Sequence, residues 1–127
     1  MTPVYTEGHP ALRGRVLFTN STPGAPDAAF IEQNSGTPAT IDALVQQGYL
    51  VRTRTDEPTA DARTNNTSSR DRALSTGAQF LSTDYPASEP ARWDGHFQVE
   101  LPGHAMARCN PVNKPAGCRD ELLTATP

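Results

Sequence analysis

The sequence lacks any apolar run near the ~18 residues needed to span a bilayer; stretches such as Tyr49-Leu50-Val51 are far shorter. No transmembrane helix is expected. Its start, Met1-Thr2-Pro3-Val4-Tyr5, has neither a basic segment nor an apolar h-region, so no signal peptide is expected either. It also lacks a cationic excess. Eleven basic against fourteen acidic residues give a net charge of -3, with a pI near 5.5. Nothing there condenses onto a polyphosphate backbone, which excludes nucleic acid as the expected partner. No glycine spacing matches a phosphate-cradling G-x-G-x-x-G or P-loop, and no Gly-x-Ser-x-Gly is present. Apolar residues are sparse too. The 35% hydrophobic fraction plus nine glycines reaches about 42%, against ~45–50% in ordinary globular chains, and the mean hydropathy is -0.57. A self-contained core would be thin, and 127 residues leave room for one domain.

There are two cysteines. Cys109 and Cys118 enclose a turn-rich octapeptide, Asn110 to Gly117, with two prolines and a glycine. A local disulfide fits that loop, and closing it constrains the unfolded chain by roughly 2–3 kcal/mol. Such a bond lasts only in an oxidising compartment; the alternative is two free thiols in a cytosolic tail. Zinc would need two further ligands at short spacing, and the three histidines are scattered, so no metal is expected on these cysteines.

Three β-type runs stand about thirty residues apart: Arg15–Asn20, Tyr49–Arg54 and Gln79–Tyr85. Between the first two, Thr37-Pro38-Ala39-Thr40 opens a helix with a cap residue and a proline at its first position. Ile41, Leu44 and Val45 form its apolar stripe and Gly48 closes it. Between the second and third, Thr59 to Arg63 reads as one turn, and Asn66 or Thr67 caps a helix through Ala73 and Leu74 to Gly77. Helical gaps of ~30 residues suit parallel strands joined by right-handed crossovers, so the pattern is β-α-β-α-β. From Pro86 onward the chain changes to a proline-rich tail with one extended run, His96–Leu101, and the cysteine loop.

Three parallel strands leave two open edges and an uncovered face, whereas parallel sheets normally have both faces covered. Along the second run, Leu50, Arg52, Arg54 and Asp56 point one way and Tyr49, Val51 and Thr53 the other. Ligand sites of parallel α/β folds lie at the strands' carboxyl ends, here Thr19 and Asn20, Arg54 and Asp56, and Thr83, Asp84 and Tyr85.

Arg13-Gly14-Arg15-Val16-Leu17-Phe18, Tyr49 to Asp56 (YLVRTRTD), Gly77 to Pro86 (GAQFLSTDYP), Leu101-Pro102-Gly103 and Ala107-Arg108-Cys109-Asn110-Pro111 occur in that order. Together they resemble the C-terminal part of the bacterial calcium-dependent phosphoinositide-specific phospholipase C family, over roughly residues 8 to 118. A looser likeness joins Gly77–Pro86 to the last strand of glycerophosphodiester phosphodiesterases. Both likenesses imply a partial (β/α)-barrel: the last three parallel strands with connecting helices, plus an irregular C-terminal extension. The expected organisation is one incomplete domain over residues 1–127, with residues 86–127 as the proline-rich tail.

The resemblance implies cleavage of the phosphodiester between inositol and diacylglycerol by attack of the inositol 2-hydroxyl on phosphorus. The family's two catalytic histidines and its calcium-holding carboxylates lie on early strands that match nothing here. Catalytic residues, and calcium itself, are therefore expected on an N-terminal half of an intact enzyme and not on this chain. His9, His96 and His104 match no catalytic position and are expected at the surface. What this part is expected to supply is recognition of a phosphatidylinositol headgroup at a membrane surface. Arg54 leads as the phosphate or hydroxyl ligand, with Asp84, Tyr85 and Asp56 on the inositol and Arg52 one pleat deeper. The parent protein is expected to be extracellular or periplasmic, carrying its signal elsewhere. The alternatives are a non-catalytic module that binds a partner or a phosphorylated polyol, and a glycerophosphodiesterase.

Overall fold

Strand β2 (Leu50–Arg54) lies between β1 (Phe30–Glu32) and β3 (Phe80–Ser82), and both neighbours run parallel to it. The computed structural model describes residues 2–57 and 59–123. Four helices complete the main elements: α1 (Thr2–Thr6), α2 (Pro38–Gln46), α3 (Ala60–Thr64) and α4 (Ser68–Leu74). Two 3-10 turns follow, at Pro102–His104 and Asp120–Leu122. The expected α/β fold, a three-stranded parallel sheet with helices in the connections, is what the chain adopts.

The alternation of β2 divides the sheet. Val51 and Thr53 are buried, while Leu50, Arg52 and Arg54 are half-exposed on the other face. Register pairs Ile31 with Val51 and Phe30 with Leu50, so like sides align across the strands. On the covered side, Ile31 and Val51 meet the stripe of α2, Ile41, Leu44 and Val45, in one apolar cluster. Helix α2 begins as its sequence dictates: Pro38 occupies the first turn, and the Thr37 hydroxyl accepts a hydrogen bond from the Thr40 amide at 3.2 Å. It ends at Gly48, whose φ of +90° needs a residue without a Cβ.

The first strand differs from expectation. Arg15–Thr19 forms no strand, and Asn20 alone makes an isolated parallel bridge to Phe30. Val16, Leu17 and Phe18 are all exposed (93%, 66% and 62%), so their apolarity meets no core. The short run Phe30-Ile31-Glu32 takes the place beside β2 because Ile31 reaches the α2 cluster. Asn20 serves that edge: its Oδ1 accepts from the Glu32 amide at 2.9 Å, and Ser21 N–H donates to Phe30 O at 3.2 Å. The expected extended run at His96–Leu101 is likewise reduced to one bridge, Val99 to Pro86.

Thr67 holds the N-cap position of α4 without a side-chain cap bond, and the preceding Asn66 Oδ1 accepts from the Ser68 amide at 3.2 Å. The Thr67 hydroxyl instead donates to Asp71 at 2.8 Å. That bond, with Arg70 beside it, holds the Asp71 carboxyl below the usual carboxylate range. The charged form of this contact therefore persists to lower pH than an ordinary aspartate would allow, and is lost as pH falls through the lowered value.

A second apolar cluster, Ala62, Ala91 and Phe97, joins α3 to the tail and packs against Tyr85 and Val99. The Cys109–Cys118 disulfide is formed. Residues 124–127 of the proline-rich tail lie outside the described residues.

Ile41→Ala should destabilise the chain by about 2–4 kcal/mol through a core cavity, whereas Val16→Ala should change stability by less than ~0.5 kcal/mol. Denaturant unfolding of the two variants checks this, and equal losses would contradict the placement of residues 15–19 outside the sheet.

Candidate functional site

The carboxyl ends of the three strands present Glu32, Arg52 with Arg54, and Ser82 followed by Thr83, Asp84 and Tyr85. Because the register pairs Arg54 with Ser82, Asp84 follows two residues beyond Arg54's level on the neighbouring strand. Parallel pairing thus brings Arg54 and Asp84 to one end of the sheet without any long-range side-chain contact being needed.

Arg52 is engaged. Its Nη1 lies 3.0 Å from Glu32 Oε1 and donates to Asn34 Oδ1 at 3.0 Å, while Asn34 Nδ2 donates to the same Glu32 oxygen at 2.6 Å. This three-membered group fixes the guanidinium against β1; the ion pair is partly exposed and contributes on the order of 0.2–1 kcal/mol. Glu32 and Asn34 were not among the sequence candidates. They became visible only once β1 was located at Phe30–Glu32, since the residues ending a strand cannot be read when the strand is misplaced.

Arg54 is held more loosely. Its Nη1 reaches Glu57 at 3.6 Å, a pair whose glutamate is two-thirds exposed. A planar guanidinium with so weak a partner keeps donors available for an oxyanion.

Asp56 does not share the exposed face with Arg52 and Arg54, as simple alternation would place it. The strand ends at Arg54, the chain turns, and Asp56 is buried at 3% exposure. One carboxylate oxygen accepts from the Thr55 hydroxyl at 2.8 Å and the other from the Asp84 amide at 3.4 Å. Thr55 itself donates to Ser82 O through its amide (3.0 Å), and its one hydroxyl proton is shared between Asp56 and Ser82 O (2.9 Å). Thr55 and Asp56 therefore latch the β2 end to the segment carrying Asp84, whose own side chain is exposed.

Tyr85 turns into the second apolar cluster. Its ring packs edge-on against Phe97 (centroids 5.8 Å apart) and Trp93 (6.3 Å), while its carbonyl accepts from the Val99 amide at 2.8 Å. Arg63 lies over the Trp93 ring at 5.3 Å and extends this wall toward solvent. The two earlier strand-end candidates fall elsewhere: Thr19 Oγ1 donates to Asp27 at 3.3 Å, and Asn20 is spent on the β1 edge. His96 and His104 are exposed as expected; His9 is half-buried, its Nδ1 2.7 Å from Arg13 O.

At this end Glu32 pairs with Arg52 and Glu57 with Arg54, and Asp56 and Asp84 follow β2 and β3. Among the described residues no three His, Cys, Asp or Glu side chains converge to hold a metal ion, and no helix is long and apolar enough to cross a membrane. The chemistry on offer is hydrogen bonding to hydroxyls and an oxyanion.

Asp56→Ala removes the acceptor that ties Asp84 to β2, leaving the buried Thr55 hydroxyl with Ser82 O alone. The loss should be about 1–3 kcal/mol, read by denaturant unfolding. Unchanged stability would contradict the latch.

Searches of curated proteins and of solved structures return no match for this chain. A family model, "Phosphoinositide phospholipase C, Ca2+-dependent", matches residues 1–111 and so takes in the whole sheet and the strand ends described above. The chain belongs to the Ca2+-dependent phosphoinositide phospholipase C family.

Proposed function

We propose that this chain is the headgroup-recognition part of a secreted phosphatidylinositol phospholipase C, one incomplete domain of a larger (β/α)-barrel that acts at a membrane surface. Three observations support the barrel reading. The β1 and β3 strands are edges, the face opposite α2 is uncovered, and that face carries Phe30 and half-exposed Phe80 with ring centroids 6.4 Å apart. Parallel sheets are normally covered on both sides, so further strands and helices, an N-terminal half of the enzyme, are the proposed cover. The disulfide supports export to an extracellular or periplasmic compartment.

The recognition reading is carried by one observation: Arg54, with only a long contact to an exposed glutamate, stands at the same end of adjacent strands as the exposed carboxylate of Asp84. Arg54 takes the phosphate oxygens. Asp84 accepts from inositol hydroxyls, and Glu32 with Arg52 offers a second, pre-oriented pair. Asp56 acts indirectly by fixing the Asp84 backbone, and Tyr85 by its packing beside Trp93 and Phe97.

Calcium belongs to the intact enzyme of this family. The carboxylates here do not fit it: Glu32 is committed to Arg52 and Asn34, Asp56 is buried on two donors, and among the described residues no group of three His, Cys, Asp or Glu converges. No step in this proposal runs through the metal.

The test is calorimetric titration of the chain with myo-inositol 1-phosphate. Arg54→Ala should weaken binding roughly 10–100-fold, the worth of a charge-assisted bidentate contact, and Arg52→Ala should weaken it less. Equal affinity for wild type and Arg54→Ala would overturn the assignment.

A further inference from the structure

The tail beyond Ala107 is bound to one short stretch of the sheet, the turn from α4 into β3. Arg108 donates to two carbonyls there, Leu74 O and, at 3.1 Å, Thr76 O. Asn110 Nδ2 donates to Gly77 O at 2.7 Å, while its Oδ1 accepts from the amides of Val112 and Asn113 at 2.9 and 3.3 Å. Val112 packs on the main apolar cluster. The fit is tight: a Cβ built on Gly77 would stand 2.5 Å from Val112 Cγ2. From the opposite side, Asp42 of α2 accepts from the Gly77 amide at 2.7 Å. The turn is therefore gripped between α2 and residues 108–113.

The disulfide closes the loop that makes this grip. Both cysteines are half-buried, while Pro111 and residues 113–117 are exposed. Within the latter part of the loop the Cys118 amide donates to Pro115 O at 2.9 Å, a local turn. On the far side, the Cys109 amide donates to Asp120 Oδ1 at 2.6 Å and draws in the next turn of chain. The covalent link thus restrains, at both ends, a largely exposed loop whose first residues press on Gly77.

We propose that the Cys109–Cys118 disulfide is a clasp on the α4–β3 turn, whose reduction frees that turn. A dithiol reductant supplies two electrons and two protons, the S–S bond becomes two thiols, and the reductant closes to its own disulfide. With the clasp open, residues 110–113 leave Gly77 and Val112 leaves the apolar cluster. Strand β3 then loosens from its amino end, and with it the segment that carries Asp84 at the other. The β1–β2 pairing, to which the loop makes no hydrogen bond among the described residues and brings only the Val112 side chain close, stays closed.

Backbone amide exchange of the full chain, with and without a dithiol reductant, tests this. On reduction, exchange at Gly77 and at Gln79, which bonds Val51 O, should accelerate roughly tenfold or more, while Leu50, which bonds Ala29 O, changes less than about twofold. Reoxidation should restore the original rates. The Cys109→Ser/Cys118→Ser double variant should behave as the reduced chain does and ignore the reductant. Unchanged rates at Gly77 and Gln79 on reduction would overturn the proposal. So would uniform acceleration across all three strands, which would make the disulfide a global staple; both readings come from the wild-type chain and stand even if the variant fails to fold.

Discussion

Everything in this chain depends on the alternation of one strand. β2 has parallel neighbours on both sides, so each of its side chains must go to one face or the other. Val51 and Thr53 go to the helices and make the core; Arg52 and Arg54 go to the uncovered face and make the charged end. A slip of one residue would bury two guanidiniums against α2 and expose Val51, at the cost of desolvating two charges. Core and site are therefore fixed by the same register.

The loops at the carboxyl end consolidate this arrangement. Thr55 and Asp56 tie the end of β2 to Ser82 O and the Asp84 amide, so the exposed carboxylate of Asp84 is held at its base although its own side chain is exposed. The amino end is consolidated differently. There the α4–β3 turn is bound by Asp42 from within and by Asn110 and Arg108 from the tail. Strand β3 has only three residues, and these two attachments add to its ladder with β2.

Local chemistry made part of this legible in the sequence. Thr37-Pro38 and Gly48 bound α2 because capping and positive φ are decided within a turn. The cysteine spacing admitted the Cys109–Cys118 disulfide for the same reason, beside two free thiols, and the disulfide is what forms. Arg15–Asn20 misled because β-branched and aromatic content signals a strand only if a partner covers it, and Val16, Leu17 and Phe18 have none among the described residues. The real strand, Phe30–Glu32, is three residues long, too short for periodicity, and is specified by where Ile31 packs. Glu32 and Asn34 stayed hidden with it. Alternation carried to Asp56 failed because it holds only while the chain remains extended.

The central claim is that the carboxyl end of the sheet, which carries Arg54 and Asp84 on adjacent strands, binds an inositol phosphate. Amide chemical-shift mapping during titration with myo-inositol 1-phosphate addresses it most directly. The account predicts shifts concentrated at residues 54–57 and 82–85, with the α2 and Cys109–Cys118 regions still; shifts centred elsewhere, or none at saturating ligand, would contradict it.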